Sequence, residues 1–200
     1  GYKPYFDEAF GKDSMTVDNA AKAVAAFERT LITPNSPYDK YVKGDKKAMS
    51  EQQVRGMETF AAAGCTSCHS GAAFNGPKMP LGQGFYAKFP TFADNDFNKK
   101  YDLSADKGRE EATGNKADAH MFRVPTLRNI TDTAPYFHNG SVNDLSLAVS
   151  LMAKTQLNKD LSEAEVKDIV AFLGALTGPY PEIAMPRLPA TSGFSLVADK

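Results

Sequence analysis

The chain has 200 residues, 42% hydrophobic and 24% charged, with a formal net charge of −1. That balance suits one or two compact domains. It lacks the basic runs that a nucleic-acid partner requires, and no apolar stretch is long enough to span a membrane. The opening, GYKPYFDEAFG, has no Met, no basic start and no apolar h-region, so it is not a signal peptide; the expectation is a removed leader or a piece of a longer chain.

In chain order, the first expected helix runs over 16–31 (TVDNAAKAVAAFERTL). Val17, Ala20, Ala21, Val24, Phe27 and Leu31 share one face, and Pro34 follows its end. The second begins at Ser50, where Ser50 and Gln53 form a capping box. Val54, Met57 and Ala61 follow at helical spacing with Phe60 alongside, and Gly64 stops a helix of about three turns.

That helix delivers the chain to GCTSCHSG, residues 64–71. Cys65 and Cys68 are the only cysteines, and His69 follows at once. A disulfide between them would close a very small loop. Structural zinc wants four ligands, and a second pair is missing. A thioredoxin-like redox pair needs a βαβ setting that the pattern does not offer. C-x-x-C-H is the signature of covalent haem attachment: one turn presents two sulfurs to the vinyl groups of haem, and the histidine reaches the iron.

Residues 71–119 are rich in Gly, Asp, Asn and Lys, and are expected to be a functional or loosely ordered loop. No strong strand pattern and no internal repeat is visible. A helix is expected over 141–154 (SVNDLSLAVSLMAK), with Ser141 as N-cap, Asp144 at N3, and Leu145, Ala148, Val149 and Met152 on its apolar face. Another starts at the Ser162/Glu165 capping box. It carries Val166, Ile169, Val170, Leu173 and Leu176 inward and ends at Gly178 and Pro179. The tail, with Pro181, Pro186 and Pro189, is expected to be extended.

Haem iron held by one histidine has a second axial position. A strong second ligand suits electron transfer; an open place suits peroxide or oxygen. The candidates are Met79, Met121, Met152, Met185, His120 and His138. Met79 is close to His69 in sequence, and Met185 lies in the tail. Between Met121 and Met152 the residues alone do not choose.

The segment FRVPTLRNITDTAPYFHNGSVNDLSLAVSLMAKTQLNKDLSEAEVKDIVAFLGALTG, with AAKAVAAFERTLITPNSPYDKYVKGD running on to GCTSCHSG, resembles bacterial di-haem cytochrome c peroxidases. The likeness is to their C-terminal haem domain and covers residues 2–177. It implies an all-α, cytochrome c-like haem domain with an extra upstream helix, a long loop and an extended Pro-rich tail. The implied division is an upstream helical segment, 1–45, a haem domain, 46–178, and a tail, 179–200. The resemblance makes Met152 the second axial ligand beside His69, and Met121 packing. It places Arg123 near the haem propionates. It gives the carbonyls of Thr133 and Pro135 to a calcium ion between two haem domains, and leaves His138 near the domain boundary.

The family carries two C-x-x-C-H motifs and this sequence carries one. The implied function is therefore that of the haem at which electrons enter. A small donor, a cytochrome c or a copper protein, would reduce it, and an N-terminal peroxidatic haem domain or companion chain would convert hydrogen peroxide to water. One covalent haem c per chain and a periplasmic location follow from the same likeness, and a homodimer stays open. The alternatives are a stand-alone mono-haem electron carrier and a MauG-like oxidising enzyme, in which tyrosine replaces the methionine ligand.

Overall fold

The structure is a computed structural model that describes residues 1–80, 82–184 and 187–189. Met185, Pro186 and the end of the expected tail lie outside the described residues. Thr33–Pro179 forms one compact unit, and Gly1–Ile32 groups apart from it with the described residues that follow Pro179. The described chain is mostly helical, with one two-stranded ribbon.

In the first unit, α1 spans Lys3–Phe10 and α2 spans Val17–Glu28. Thr16 is the N-cap of α2, as its short polar side chain favours, and accepts from Asn19 N. The helix ends three residues before the expected Leu31. Its apolar face is exposed: Val17 is 88% accessible, and Val24, Phe27 and Leu31 are open to solvent.

In the second unit, Ser36 and Asp39 form a capping box with Pro37 at the first position, starting α3, Pro37–Val42. The expected Ser50/Gln53 box starts α4, Glu51–Ala63. Gly64 ends α4 with φ +100°, a left-handed value at which a Cβ would be strained. The Ser162/Glu165 box starts α8, Glu163–Gly174. This helix stops before Gly178, because the carbonyls of Ala175 and Leu176 turn away to accept from Tyr38 N and Asn129 N.

Helices α4 and α8 cross and make the first core. Phe60, Ile169, Phe172, Leu173 and Leu176 are buried with Met49, Phe74 and Leu127. Phe172 lies within 6.0 Å, centroid to centroid, of Phe60, Phe74 and Tyr38 in tilted or edge-on geometry. Each large side chain so buried contributes roughly 1.5–3 kcal/mol.

The stretch 71–119, expected to be a functional or loosely ordered loop, carries regular elements among its described residues. It holds β1 (Tyr86–Lys88), α5 (Asp96–Tyr101) and α6 (Arg109–Thr113). Strand β1 pairs antiparallel with β2, Met121–Arg123, in the register Tyr86 to Arg123 and Lys88 to Met121. Three residues per strand are too few to show an alternating pattern, which is why no strand was legible. Gln156 ties this stretch to the following helix, donating to Lys88 O and accepting from Thr91 N at 2.8 Å each.

That helix, α7, spans Leu145–Leu157. Its N-cap is Asp144, whose Oδ1 accepts from Leu147 N at 2.7 Å, not Ser141 as expected. Residues before it are held otherwise: Val142 is buried, and its carbonyl accepts from Tyr136 N at 2.7 Å. Ala148 and Leu151 of α7 join Phe89, Leu103, Tyr136 and Val142 in a second core. Ile130 and Leu145 touch both cores.

Candidate haem-attachment site

After the left-handed Gly64 the chain tightens into one 3-10 turn, Cys65–Ser67. His69 N and Cys68 N both donate to Cys65 O, at 2.9 and 3.3 Å. That turn sets both thiols and the imidazole on one short arc. The cysteines are free thiols and both are half-buried. Cys65 packs on the first core, where burial pushes its thiol up to about 11. Lys159 lies nearby, its ammonium donating to Ala63 O at 2.9 Å at the C-terminal end of α4, where a cation is favourable.

His69 Nδ1 faces the carbonyl of Phe74 at 3.0 Å. A carbonyl only accepts, so Nδ1 carries the proton and Nε2 keeps its lone pair. Burial holds the imidazole below its ordinary pKa, the Phe74 carbonyl partly opposing this, so the ring is neutral at pH 7. The Phe60 ring lies 6.4 Å from the imidazole and backs it. Among the described residues there is no group of three or more His, Cys, Asp or Glu that could hold a metal ion. Two free thiols one turn apart and a neutral imidazole with its Nε2 pair available do fit covalent haem.

Met152 is half-buried on α7 and packs on the second core. Met121, on β2, packs on neither core among the described residues. Met79 is 36% exposed in the connecting stretch. His120 Nδ1 is taken by Asp106 O at 2.9 Å. The His138 ring stacks on Phe122 at 4.4 Å, and burial holds it below the ordinary histidine value. Arg123 is exposed, lies over Gly84, and makes no ion pair or hydrogen bond among the described residues. Thr133 and Pro135 sit in an exposed turn after Ile130–Asp132, and their carbonyls accept no hydrogen bond among the described residues.

Two residues at the site went unread in the sequence. Phe74 supplies the carbonyl that orients His69, with φ +52°, a value rarely adopted by a bulky side chain. Arg128 holds the turn just before it, donating from Nε to Ala72 O at 2.9 Å. A Phe in a Gly-rich stretch carries no signal of left-handed backbone. The partner of Arg128, Asp39, is 89 residues away.

A family model of di-haem cytochrome c peroxidases matches residues 1–47. The cytochrome c551 peroxidase of Nitrosomonas europaea is 41% identical over 192 residues, covering 96% of this chain and 54% of that protein. The chain belongs to the di-haem cytochrome c peroxidase and MauG-related family. Other family members agree. The cytochrome c551 peroxidase of Pseudomonas aeruginosa is also 41% identical, over 96% of this chain and 53% of its own length. The methylamine utilization protein MauG of Methylophilus methylotrophus is 31% identical, over 94% of this chain and 56% of its own. The solved structure of a MauG-like protein associated with microbial copper homeostasis has a TM-score of 0.63 and 25% identity, covering 86% of this chain and 61% of that one. The chain spans about half the length of the curated peroxidases it matches. No helix among the described residues is long and apolar enough to cross a membrane.

Proposed function

We propose that this chain is the cytochrome c-like domain at which electrons enter a periplasmic di-haem cytochrome c peroxidase. The observation that carries the reading is the arc Cys65, Cys68 and His69, with the imidazole neutral and its Nδ1 already engaged by Phe74 O. Cys65 and Cys68 would hold one haem c through their thiols, and His69 Nε2 would face its iron. Bound there, haem supplies one-electron redox chemistry. The residues of the chain attach it, orient it, exclude water from it and set its potential.

Met152 would supply the second protein ligand of the haem. A rigid helix presents it, and it packs on the second core, whereas Met121 sits on a short ribbon. A thioether at this position raises the reduction potential, as suits a haem that accepts electrons from a small donor protein. The Arg123 guanidinium, without an ion pair or hydrogen bond among the described residues, would meet a propionate. The open carbonyls of Thr133 and Pro135 are hard oxygen donors suited to calcium, which would join this domain to the peroxidatic haem domain. The chemistry that consumes hydrogen peroxide would belong to that second haem, on a partner domain or chain.

Substituting Met152→Leu and Met121→Leu separately in the haem-loaded chain tests the assignment. Loss of the six-coordinate low-spin spectrum is expected for Met152→Leu alone; the same loss in Met121→Leu alone would move the ligand to Met121 and overturn it. A MauG-like oxidising role is the second reading, favoured by the MauG relative at 31% identity and opposed by a methionine, not a tyrosine, at 152.

A further inference from the structure

We propose that Arg128 is a positioning residue for the axial imidazole: it fixes the turn through which the Phe74 carbonyl holds His69 Nδ1. The inference rests on the reading of His69 as an iron ligand.

The argument begins with Phe74. Its left-handed backbone persists only where the surroundings over-determine it. The Phe74 ring is buried edge-on against Tyr38 at 5.2 Å and Phe172 at 6.0 Å. The two carbonyls before it are each pinned from the segment 126–128. Arg128 Nε donates to Ala72 O at 2.9 Å. Thr126 Oγ1 and Leu127 N donate to Ala73 O, at 2.6 and 3.3 Å. The direction of the next carbonyl, Phe74 O, is thereby set.

Arg128 is itself immobilised. Nη1 donates to Asp39 Oδ2 at 2.9 Å and to Ser36 Oγ at 3.0 Å, and Nη2 donates to Asp39 Oδ1 at 2.8 Å. Its guanidinium lies 5.7 Å from the ring centroids of both Tyr38 and Phe74. A planar fork can hold a carboxylate with its Nη atoms while Nε reaches a carbonyl on another side; the single nitrogen of an ammonium cannot stand at both places. So the chain of contacts runs from Asp39 through Arg128 to the 72–74 turn, and from Phe74 O to His69.

The consequence is electronic as well as steric. An Nδ1–H bonded to a carbonyl makes Nε2 a stronger donor and fixes the ring plane. A stronger donor favours the ferric state. Loosening the turn therefore shifts the reduction equilibrium toward ferrous iron.

The test uses the haem-loaded chain, with the reduction equilibrium and the His69 ring resonances of the oxidised protein as readouts. A pyridine haemochrome spectrum of the unaltered chain comes first: absence of covalent haem there defeats the functional reading itself. With haem present, Arg128→Met and Arg128→Lys should both shift the equilibrium toward the ferrous form, on the order of tenfold, and displace the ring resonances. Asp39→Asn, which leaves Nε on Ala72, should lower stability with a shift of less than about twofold. If the Arg128 variants do not accumulate, Thr126→Val removes the hydroxyl that donates to Ala73 O and accepts from Arg128 N, leaving Leu127 N on Ala73 O, and should shift the equilibrium in the same direction by roughly threefold. Variants of Arg128 or Thr126 that lose stability while both readouts stay fixed would overturn the proposal. So would an Arg128→Lys protein that matches the unaltered chain, since lysine keeps the charge for Asp39 and not the second contact.

Discussion

Gly56 on α4 meets the backbone carbonyl of Asp168 on α8 so closely that a Cβ there would lie 1.8 Å from the oxygen and 2.9 Å from Phe172 Cβ. The absence of a side chain is what lets the two helices touch and draws Phe60 and Phe172 together at 5.4 Å. Gly56→Ala is expected to push the helices apart and destabilise the chain by more than about 2 kcal/mol, the upper range for overpacking. Gly174, at the end of α8, has open space around its Cβ position. Gly174→Ala is expected to stabilise by roughly 0.5–1 kcal/mol. Denaturant titration of both variants checks the pair.

Asp39 gives a pH signature. Burial pushes its carboxyl up, but donors from Arg128 and Ser36 outweigh this and hold it below the ordinary carboxylate range. A depressed folded value means stability present above about pH 4 and lost as pH falls through that folded value. Asp39→Asn is expected to cost about 1.5–3 kcal/mol at pH 7, the range for hydrogen bonds to a charged group, since the pair with Arg128 is only part-buried. It should also flatten the acid limb of the stability profile. An acid limb as steep in the variant as in the parent would assign that loss to other groups.

Cys65 gives a second pH signature, in chain prepared without haem. Its thiol is raised to about 11 by burial, so the folded state disfavours the thiolate. The stability contributed by the neutral thiol is present below the unfolded value, near 9, and is lost as pH rises through about 11. At pH 8, alkylation of Cys65 should be slower in the folded than in the unfolded chain by on the order of a hundredfold. Peptide mapping after timed iodoacetamide treatment reads this directly.

The long stretch 71–119 is anchored at Leu103, which is 0% exposed and sits in the second core with Leu151 and Val142. Leu103→Ala is expected to lower stability by about 2–5 kcal/mol. The backbone amides of 88–103 should exchange faster in the variant. A loosely ordered loop would show neither change.

What was legible in the sequence was local. The Ser50/Gln53 and Ser162/Glu165 boxes lie within one turn of the helices they start, and Gly64 acts on the residue beside it, so each could be read in place. Cys65, Cys68 and His69 are likewise a five-residue phrase with one chemistry. The N-cap of α7 was misread because Ser141 and Asp144 are both good caps, and a distant contact of Val142 with Tyr136 decided between them. The Ser36/Asp39 box with Pro37 is a local signal of the same kind, but the helix it starts, α3, is only 6 residues long and offers no apolar periodicity. The hold of Arg128 on Asp39 and Ala72, and the left-handed Phe74, are set by tertiary contacts that no window of sequence contains.

The most direct measurement is the intact mass of the matured chain together with its pyridine haemochrome spectrum. One covalent haem per chain, both cysteines unreactive to alkylation, and a six-coordinate low-spin oxidised spectrum are the predicted result. A bare-chain mass with two alkylatable thiols, or a haem whose iron is five-coordinate in the resting oxidised state, would contradict an electron-receiving haem domain.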